Sequence, residues 1–259
     1  MISSNNHRKK DKCIFGLIGK SIGYSFSKEF FMDKFKRESI HHYSSYEIFD
    51  IPKIENILSI FTNKSLKGCN ITIPYKEKII PYLNDISMEA KSIGSVNVIK
   101  IDQDGYRIGY NTDFIGFEYT FRKDFNRLSF KKKPKALILG TGGVSKSISY
   151  VLNKFKIPHK YVSRNKNGNV FIYENINKDI IDNYKIIINC TPLGTYPSIN
   201  SCPLLPYQYI SSQHYFYDLV YNPSKTLFLR KGEEKGSMIR NGLEMLHVQA
   251  EESWKIWNS

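Results

Sequence analysis

One stretch limits what this chain can fold into more than any other. The apolar run ALIL at residues 136–139 leads into Gly140, Thr141, Gly142 and Gly143, and the amphipathic segment VSKSISYVLNKF follows without a break. An apolar run, a glycine turn and then a 3.6-residue period predict strand, tight turn and helix. Glycines in such a turn let backbone amides approach an anion at the helix N-terminus, which suits the pyrophosphate of a dinucleotide. A glycine turn is also what an ordinary tight loop uses, and Ser145 stands where a third Gly or Ala is usual. Charge separates two dinucleotides. A site for NAD carries an acidic residue about 20 positions on, for the ribose hydroxyls. Here the strand at residues 161–163 ends in Ser163, Arg164, Asn165 and Lys166. A guanidinium fork there suits a 2′-phosphate and favours NADP, the plainer reading of Arg164 being a solvated loop residue.

This motif begins past the middle of a 259-residue chain, a length that accommodates two domains at about 100 to 200 residues each. Ahead of it, apolar residues 13–18 read as a buried strand, and Ser27 as an N-cap for a helix carrying Phe30, Phe31 and Phe35. HHYSSYEIF reads as a strand, residues 51–61 as a helix with Pro52 in its first turn, and CNITIPYK as a strand closed by Pro74. Residues 75–83 and 87–92 are helical candidates, and SVNVIKID with YRIGYNTD forms a hairpin about Asp104 and Gly105. Residues 115–123 are amphipathic. Beyond the glycine turn, strands are expected at 161–163, 170–173, 185–190 and 215–220, with a terminal helix over 238–257. No crossover helix fits between Arg164 and Val170.

With 41% hydrophobic and 24% charged residues the chain has the composition of a packed protein. No apolar run approaches the roughly 18 residues of a membrane span, and MISSNNHRKKDK lacks a secretory apolar core, so a soluble cytoplasmic protein is expected. Cys13, Cys69, Cys190 and Cys202 are scattered, which predicts free thiols and no metal site. The net charge of +14 is compatible with a nucleic-acid, membrane or anionic-metabolite partner. The chain is also rich in Ile, Asn, Tyr and Phe, whose codons, like those of Lys, are AT-rich, and the plainer reading of the charge is Lys content set by a biased genome. The dense basic runs, residues 7–12 and 127–135, contain a single Phe, Tyr or Trp, Phe130, and so are not interleaved with stacking aromatics; neither nucleic acid nor membrane is expected as a partner.

In the first half, polar residues fall where strands end: Ser25 and Ser27, Thr72 and Lys76, Asn97, then Asn111, Thr112 and Asp113. An open α/β sheet places ligands beyond the carboxyl ends of its strands, so the set can converge on one small polyhydroxylated anion. Singly, each has a duller reading as a cap, a turn bond or an exposed lysine.

The segments YSFSK, NITIPYK, GSVNVI, GYNTDFIGF, LILGTGGVSKS, NCTPLGTYP, YDLVYNPSKTLFL and NGLEMLHVQAEESW, in this order, resemble the motifs of the shikimate dehydrogenases. The resemblance spans nearly the whole chain. It implies an α/β protein: an N-terminal mixed-sheet substrate domain, residues 1–112 with 242–259, and a Rossmann-like NADP domain, residues 113–241, the C-terminal helix returning to the substrate domain. The domains face one cleft, with hinge closure to bring cofactor and substrate together. The implied reaction is reversible NADPH-dependent reduction of 3-dehydroshikimate to shikimate, on the way to chorismate and aromatic amino acids, by a monomer or homodimer. By similarity Ser25 and Ser27 hold the substrate carboxylate, while Thr72, Lys76, Asn97, Asp113, Tyr221 and Gln249 surround the ring. Gly140, Thr141, Gly142, Gly143 and Val144 match the pyrophosphate loop, Ser163, Arg164, Asn165 and Lys166 the adenosine-phosphate site, and Leu219 and Gly242 the nicotinamide contacts. Lys76 is the implied proton donor and Asp113 its orienting partner. The short segment after Arg164, Thr195 where Met is frequent, Pro197 after TPLGTY and the basic tail depart from the family pattern. A quinate/shikimate dehydrogenase with broader substrate or NAD use is the alternative; outside that class stand a basic nucleic-acid-binding protein and an NADPH sensor without turnover.

Overall fold

The computed structural model describes residues 12–259 apart from 24, 131, 166, 167 and 169; the basic tail ahead of residue 12 lies outside the described residues. The chain forms two compact units, one of Met1–Ser87, Val96–Tyr110 and Lys255–Ser259, the other of Met88–Ser95 and Asn111–Trp254.

The first unit is built on β1 (Cys13–Gly19), α1 (Ser27–Arg37), β2 (Ser44–Asp50), α2 (Ile57–Ile60), β3 (Leu66–Ile71) and β4 (Asp85–Ile86). After α3 (Met88–Ile93), which belongs to the second unit, β5 (Val98–Ile101) and β6 (Arg107–Tyr110) complete its sheet. The strand order is β2-β1-β3-β5-β6-β4. The first three strands run parallel, β5 is antiparallel to both β3 and β6, and β4 pairs parallel with β6. The expected hairpin is therefore present, within a mixed sheet. Its core is aromatic: Phe31 stacks on Tyr46 at 4.6 Å between centroids and Phe15 on Trp257 at 4.9 Å. The Trp257 indole donates to the carbonyl of Ile99, so the end of the last helix is fixed on this sheet.

The second unit runs through α4 (Asp113–Phe125), β7 (Ala136–Leu139), α5 (Gly143–Lys154), β8 (His159–Ser163), β9 (Phe171–Ile172), α6 (Lys178–Asn183), β10 (Ile186–Asn189), β11 (Tyr215–Asp218), α7 (Leu227–Glu233), β12 (Met238–Arg240) and α8 (Leu243–Trp257), of which the residues from Lys255 on belong to the first unit. Its six strands, in the order β12-β11-β10-β7-β8-β9, are all parallel. The central strands are apolar without alternation because both faces are covered. Ala136, Ile138, Ile186 and Ile188 pack on one side with Ile148 and Val151 of α5, while Leu137, Leu139, Ile187 and Phe216 pack on the other with Phe228 and Leu229 of α7. Strands β8 and β9 pair directly and no helix joins them among the described residues, as the short spacing predicts.

Four local expectations change. Ser27 is the first residue of α1 and not its cap: Phe26 holds that position, and it is the Ser25 hydroxyl that accepts the Ser27 N–H, at 3.3 Å. Lys76 lies in a turn, not a helix; the only helical geometry among the described residues 75–83 is a 3₁₀ turn at Ile80–Tyr82 that begins with Pro81 as its second residue. Residues 51–61 form a 3₁₀ turn, Ile54–Asn56, running into the four-residue α2. The terminal helix begins only at Leu243, since Met238–Arg240 pair with β11 as an edge strand. Helical spacing in 238–257 does not exclude an extended start, because three residues are too few to carry a period.

Candidate active site

Each unit carries a set of polar groups at the edge where its sheet changes direction, and these are described in turn. In the first unit the chain leaves β1 towards β2 on one side and returns to β3 on the other. Outside such a switch point the loops part and leave room for a ligand. Ser25 and Ser27 follow β1, and Thr72 and Lys76 follow β3. The backbone ties these loops together: Thr72 N–H donates to Ile18 (2.9 Å), Lys20 N–H to Ile73 (3.0 Å) and Val96 N–H to Lys76 (2.8 Å). Asn97 immediately precedes β5, and because β5 runs antiparallel to β3 this start lies at the same edge, its carbonyl accepting from Ile71 N–H at 2.8 Å. Ser25, Ser27, Thr72, Lys76 and Asn97 are thus gathered at one edge. Lys76 is half-buried and Asn97 buried.

A buried chain of polar groups, absent from the sequence reading, runs behind them. The Tyr46 hydroxyl donates to Asn70 Oδ1 at 2.8 Å, and Asn70 Nδ2 donates to the Asn97 carbonyl at 3.4 Å. Nearer the surface, Ser25 Oγ donates to Ser27 Oγ at 3.2 Å. Burial pushes the Tyr46 hydroxyl far above its usual range, so it stays protonated. The available signal was Asn70 and Tyr46 inside strands whose neighbours are apolar.

In the second unit the switch falls between β7 and β10. Gly140 ends β7 at φ +103°, a backbone conformation that favours glycine, and a side chain there would meet Thr191 Cγ2 at 3.1 Å. The glycine turn therefore lies against the loop that follows β10. Helix α5 starts at Gly143, and Gly142 has open space where a side chain would be. The helix dipole and the missing side chains fit a pyrophosphate, although the Ser145 N–H is already given to the Gly142 carbonyl at 2.9 Å. Ser145 points away from it, buried, its hydroxyl donating to the Gly142 carbonyl at 2.6 Å. On the next strand, Ser163 ends β8 and its hydroxyl accepts from Asn165 N–H at 3.3 Å; Arg164 and Asn165 are exposed, while Lys166 lies outside the described residues. An exposed guanidinium one strand away from an anion cradle fits a phosphorylated ribose.

At the far side of the same edge, Leu219 and Gly242 are brought together. Gly242 N–H donates to Val220, and a side chain on Gly242 would lie 2.1 Å from the Leu219 carbonyl, so glycine is required. Asp218 anchors this corner. Its Oδ1 accepts from Asn189 Nδ2 (2.9 Å) and Val220 N–H (3.0 Å), and its Oδ2 from the Thr226 hydroxyl (2.5 Å). Burial raises the Asp218 carboxyl to about 6 against the pull of these three donors. Asn189 also accepts from Thr191, which continues the brace to the glycine turn. None of these four bracing residues is evident from sequence, beyond their polarity at the ends of apolar strands. Tyr221 follows in the loop after Val220 and is half-buried.

Asp113 is buried as the first residue of α4, where a carboxylate is favoured by the helix dipole. The start of that helix is held by Asn111, which accepts from Phe114 N–H and Ser147 Oγ and donates to the Ser95 carbonyl. Thr112 donates to Gln249 Oε1 at 3.4 Å and shares a hydrogen bond with Ser253, so the Asp113 and Gln249 segments meet. Cys190 lies within the field of both Asp113 and Asp218, and burial together with these carboxylates keeps its thiol protonated.

Residues 17–99 match the family described as the shikimate dehydrogenase substrate binding domain. Over 96% of its length the chain is 37% identical to a shikimate dehydrogenase (NADP(+)) of Staphylococcus epidermidis, of which the match covers 92%. A crystal structure of a shikimate dehydrogenase in complex with NADP+ superposes with a TM-score of 0.78 and 31% identity over 95% of this chain and 90% of that one. A shikimate 5-dehydrogenase of Thermus thermophilus, crystallised with NADP(H) and shikimate, gives a TM-score of 0.79 and 26% identity over 95% and 93%.

Proposed function

The chain belongs to the shikimate dehydrogenase family, and from that premise we propose that it catalyses the reversible, NADPH-dependent reduction of 3-dehydroshikimate to shikimate. The observation that carries this reading furthest is the paired placement of polar groups at two sheet switch points, one set suited to a small hydroxylated carboxylate and the other to a phosphorylated dinucleotide. The substrate role falls to segments 1–112 and 242–259 and the cofactor role to 113–241, in a cytoplasmic monomer or homodimer.

In this reading the hydroxyls of Ser25 and Ser27 hold the substrate carboxylate, and Thr72, Asn97, Asp113, Tyr221 and Gln249 bind the ring hydroxyls. Neutral donors suffice for one carboxylate because the first turn of α1 adds its dipole. Lys76 donates a hydrogen bond to the carbonyl oxygen, stabilises the alkoxide charge as it develops and delivers the proton; in reverse it removes one. Asp113 orients the ammonium. Gly140, Thr141, Gly142, Gly143 and Val144 hold the pyrophosphate, Ser163, Arg164, Asn165 and Lys166 the adenosine phosphate, and Leu219 and Gly242 the nicotinamide. NADPH, when bound, supplies the hydride. The turn that carries Lys76 and the fixed start of α4 at Asp113 supply preorganisation, which lowers the barrier only if both groups are held before substrate arrives.

Absorbance at 340 nm with purified protein, comparing shikimate with quinate and NADP+ with NAD+, tests the assignment. Rapid reduction confined to shikimate with NADP+ supports it. Comparable rates with quinate or NAD+ would move the chain to the broader quinate/shikimate enzymes, and binding of NADPH without turnover on any pair would overturn the assignment.

A further inference from the structure

Strands β8 and β9 pair in parallel, Val162 with Phe171 and Ser163 with Ile172, so the next residue on each, Arg164 and Tyr173, leaves the sheet side by side at its carboxyl edge. Side chains alternate along a strand, and Val162 and Phe171 pack in the cluster on the face opposite α5. The Tyr173 ring packs in that same cluster. On the α5 face the edge is filled by Tyr161, whose hydroxyl donates to the Ser145 carbonyl at 3.4 Å. Room beside Arg164 is therefore on the Tyr173 side. Because no helix joins β8 to β9 among the described residues, this edge is left to the short 3₁₀ turn Tyr173–Asn175.

Tyr173 is half-buried, yet its hydroxyl oxygen is shut off from water and has no hydrogen-bond partner among the described residues. A buried hydroxyl left unpaired is costly, and a phenylalanine would pack among these apolar neighbours without that cost. Tyr207, of the same cluster, is no partner, since its hydroxyl donates to the Pro203 carbonyl at 2.8 Å. Burial pushes the Tyr173 hydroxyl up to about 12, with the Arg164 guanidinium pulling the other way, so at neutral pH the proton is present to be donated.

We propose that Tyr173 binds the adenine of the dinucleotide, its hydroxyl donating to a ring nitrogen of the base and so gaining the acceptor that the chain itself does not provide. The inference rests on the NADPH-dependent reading, in which the pyrophosphate lies on the glycine turn and Arg164 takes the ribose phosphate. Arg164, Asn165, Glu174 and Asn175, which follow on the two strands, are exposed. The hydroxyl thus lies a single side chain below the surface, within reach of the base once Arg164 turns to the phosphate.

The test is calorimetry of the full chain with 2′,5′-ADP, and with ADP by competition, for the parent protein, Tyr173→Phe and Arg164→Ala, together with urea unfolding of each without ligand. Tyr173→Phe is expected to weaken both ligands by the same factor, about three- to tenfold. Its urea midpoint stays level with the parent or rises, because the ring still packs and an unpaired hydroxyl is gone. Arg164→Ala, by contrast, weakens 2′,5′-ADP alone. Unchanged affinity in Tyr173→Phe overturns the proposal, and so does a loss seen only with 2′,5′-ADP, which would place the hydroxyl on the phosphate and not on the base. A lowered urea midpoint, or a variant that does not fold, also overturns it, since the hydroxyl would then be bonded within the chain. A parent protein that binds neither 2′,5′-ADP nor NADPH would instead overturn the cofactor reading itself, so the two failures are distinguishable.

Discussion

Lys76 and Arg164 carry the two residue-scale claims that matter most. In the reaction proposed above Lys76 stabilises the developing alkoxide and supplies its proton, and Lys76→Ala removes that group. We expect kcat to fall about 10²- to 10⁴-fold while the KM for shikimate changes by much less. A loss confined to KM would remove Lys76 from acid catalysis. Arg164 is an exposed cation after β8. A charge-assisted bond to a phosphate is typically worth about 1.5–3 kcal/mol, so Arg164→Ala is expected to raise the KM for NADP+ tenfold or more and to leave the KM for NAD+ within twofold. Equal effects on both cofactors would contradict a 2′-phosphate contact. At this scale the sequence was informative wherever a residue type is rare in its place: a lysine after NITIPY, a glycine run after ALIL, an arginine where an acid is usual. It was silent about Tyr46, Asn70, Asn189 and Asp218, whose partners are distant in sequence and whose roles exist only once the strands are adjacent.

At the scale of elements, long periodic segments were legible and short ones were not. The strands β1, β7, β10 and β11 and the helices α4 and α5 follow from apolar period and flanking glycines, because burial on both faces leaves a strong pattern. Strand β12, strand β4 and the broken helix at residues 54–60 have three residues or so in each conformation, and pairing rather than local preference decides them. One tertiary contact between elements shows what the pattern hides. Asp124, fully buried near the end of α4, is held by a bidentate pair with Arg240 of β12 and by the Tyr215 hydroxyl at 2.5 Å. Arg240 reaches Glu244 at 2.7 Å as well, so strand β12 and the start of α8 are tied together beside Gly242. Arg240→Met leaves the Asp124 carboxylate buried without its cation, and we expect a loss of about 3–5 kcal/mol in unfolding free energy. A loss under 1 kcal/mol in denaturant titration would mean that Tyr215 alone satisfies Asp124.

For the molecule as a whole, the parallel sheet of the second unit and the mixed sheet of the first were readable from the order of motifs, and among the described residues no helix is long and apolar enough to cross a membrane. Global stability offers a test of the corner beside Leu219. The Asp218 carboxyl is raised to about 6, against about 3.8 when free, so between those values the folded state binds more protons than the unfolded chain. Its contribution is therefore greatest in acid and is lost as pH rises from about 4 to 6. The difference amounts to roughly 3 kcal/mol. Asp218→Asn should flatten this component, so that the parent loses stability relative to the variant on going from pH 4 to pH 7; a constant difference across that range would mean that the carboxyl is ionised throughout. The reaction itself is tested most directly in the reduction direction, with 3-dehydroshikimate and NADPH supplied to the purified protein, NADPH followed at 340 nm and the product identified by mass. One shikimate formed for each NADPH consumed is the predicted result, and NADPH bound but not oxidised, or oxidised without shikimate, would contradict it.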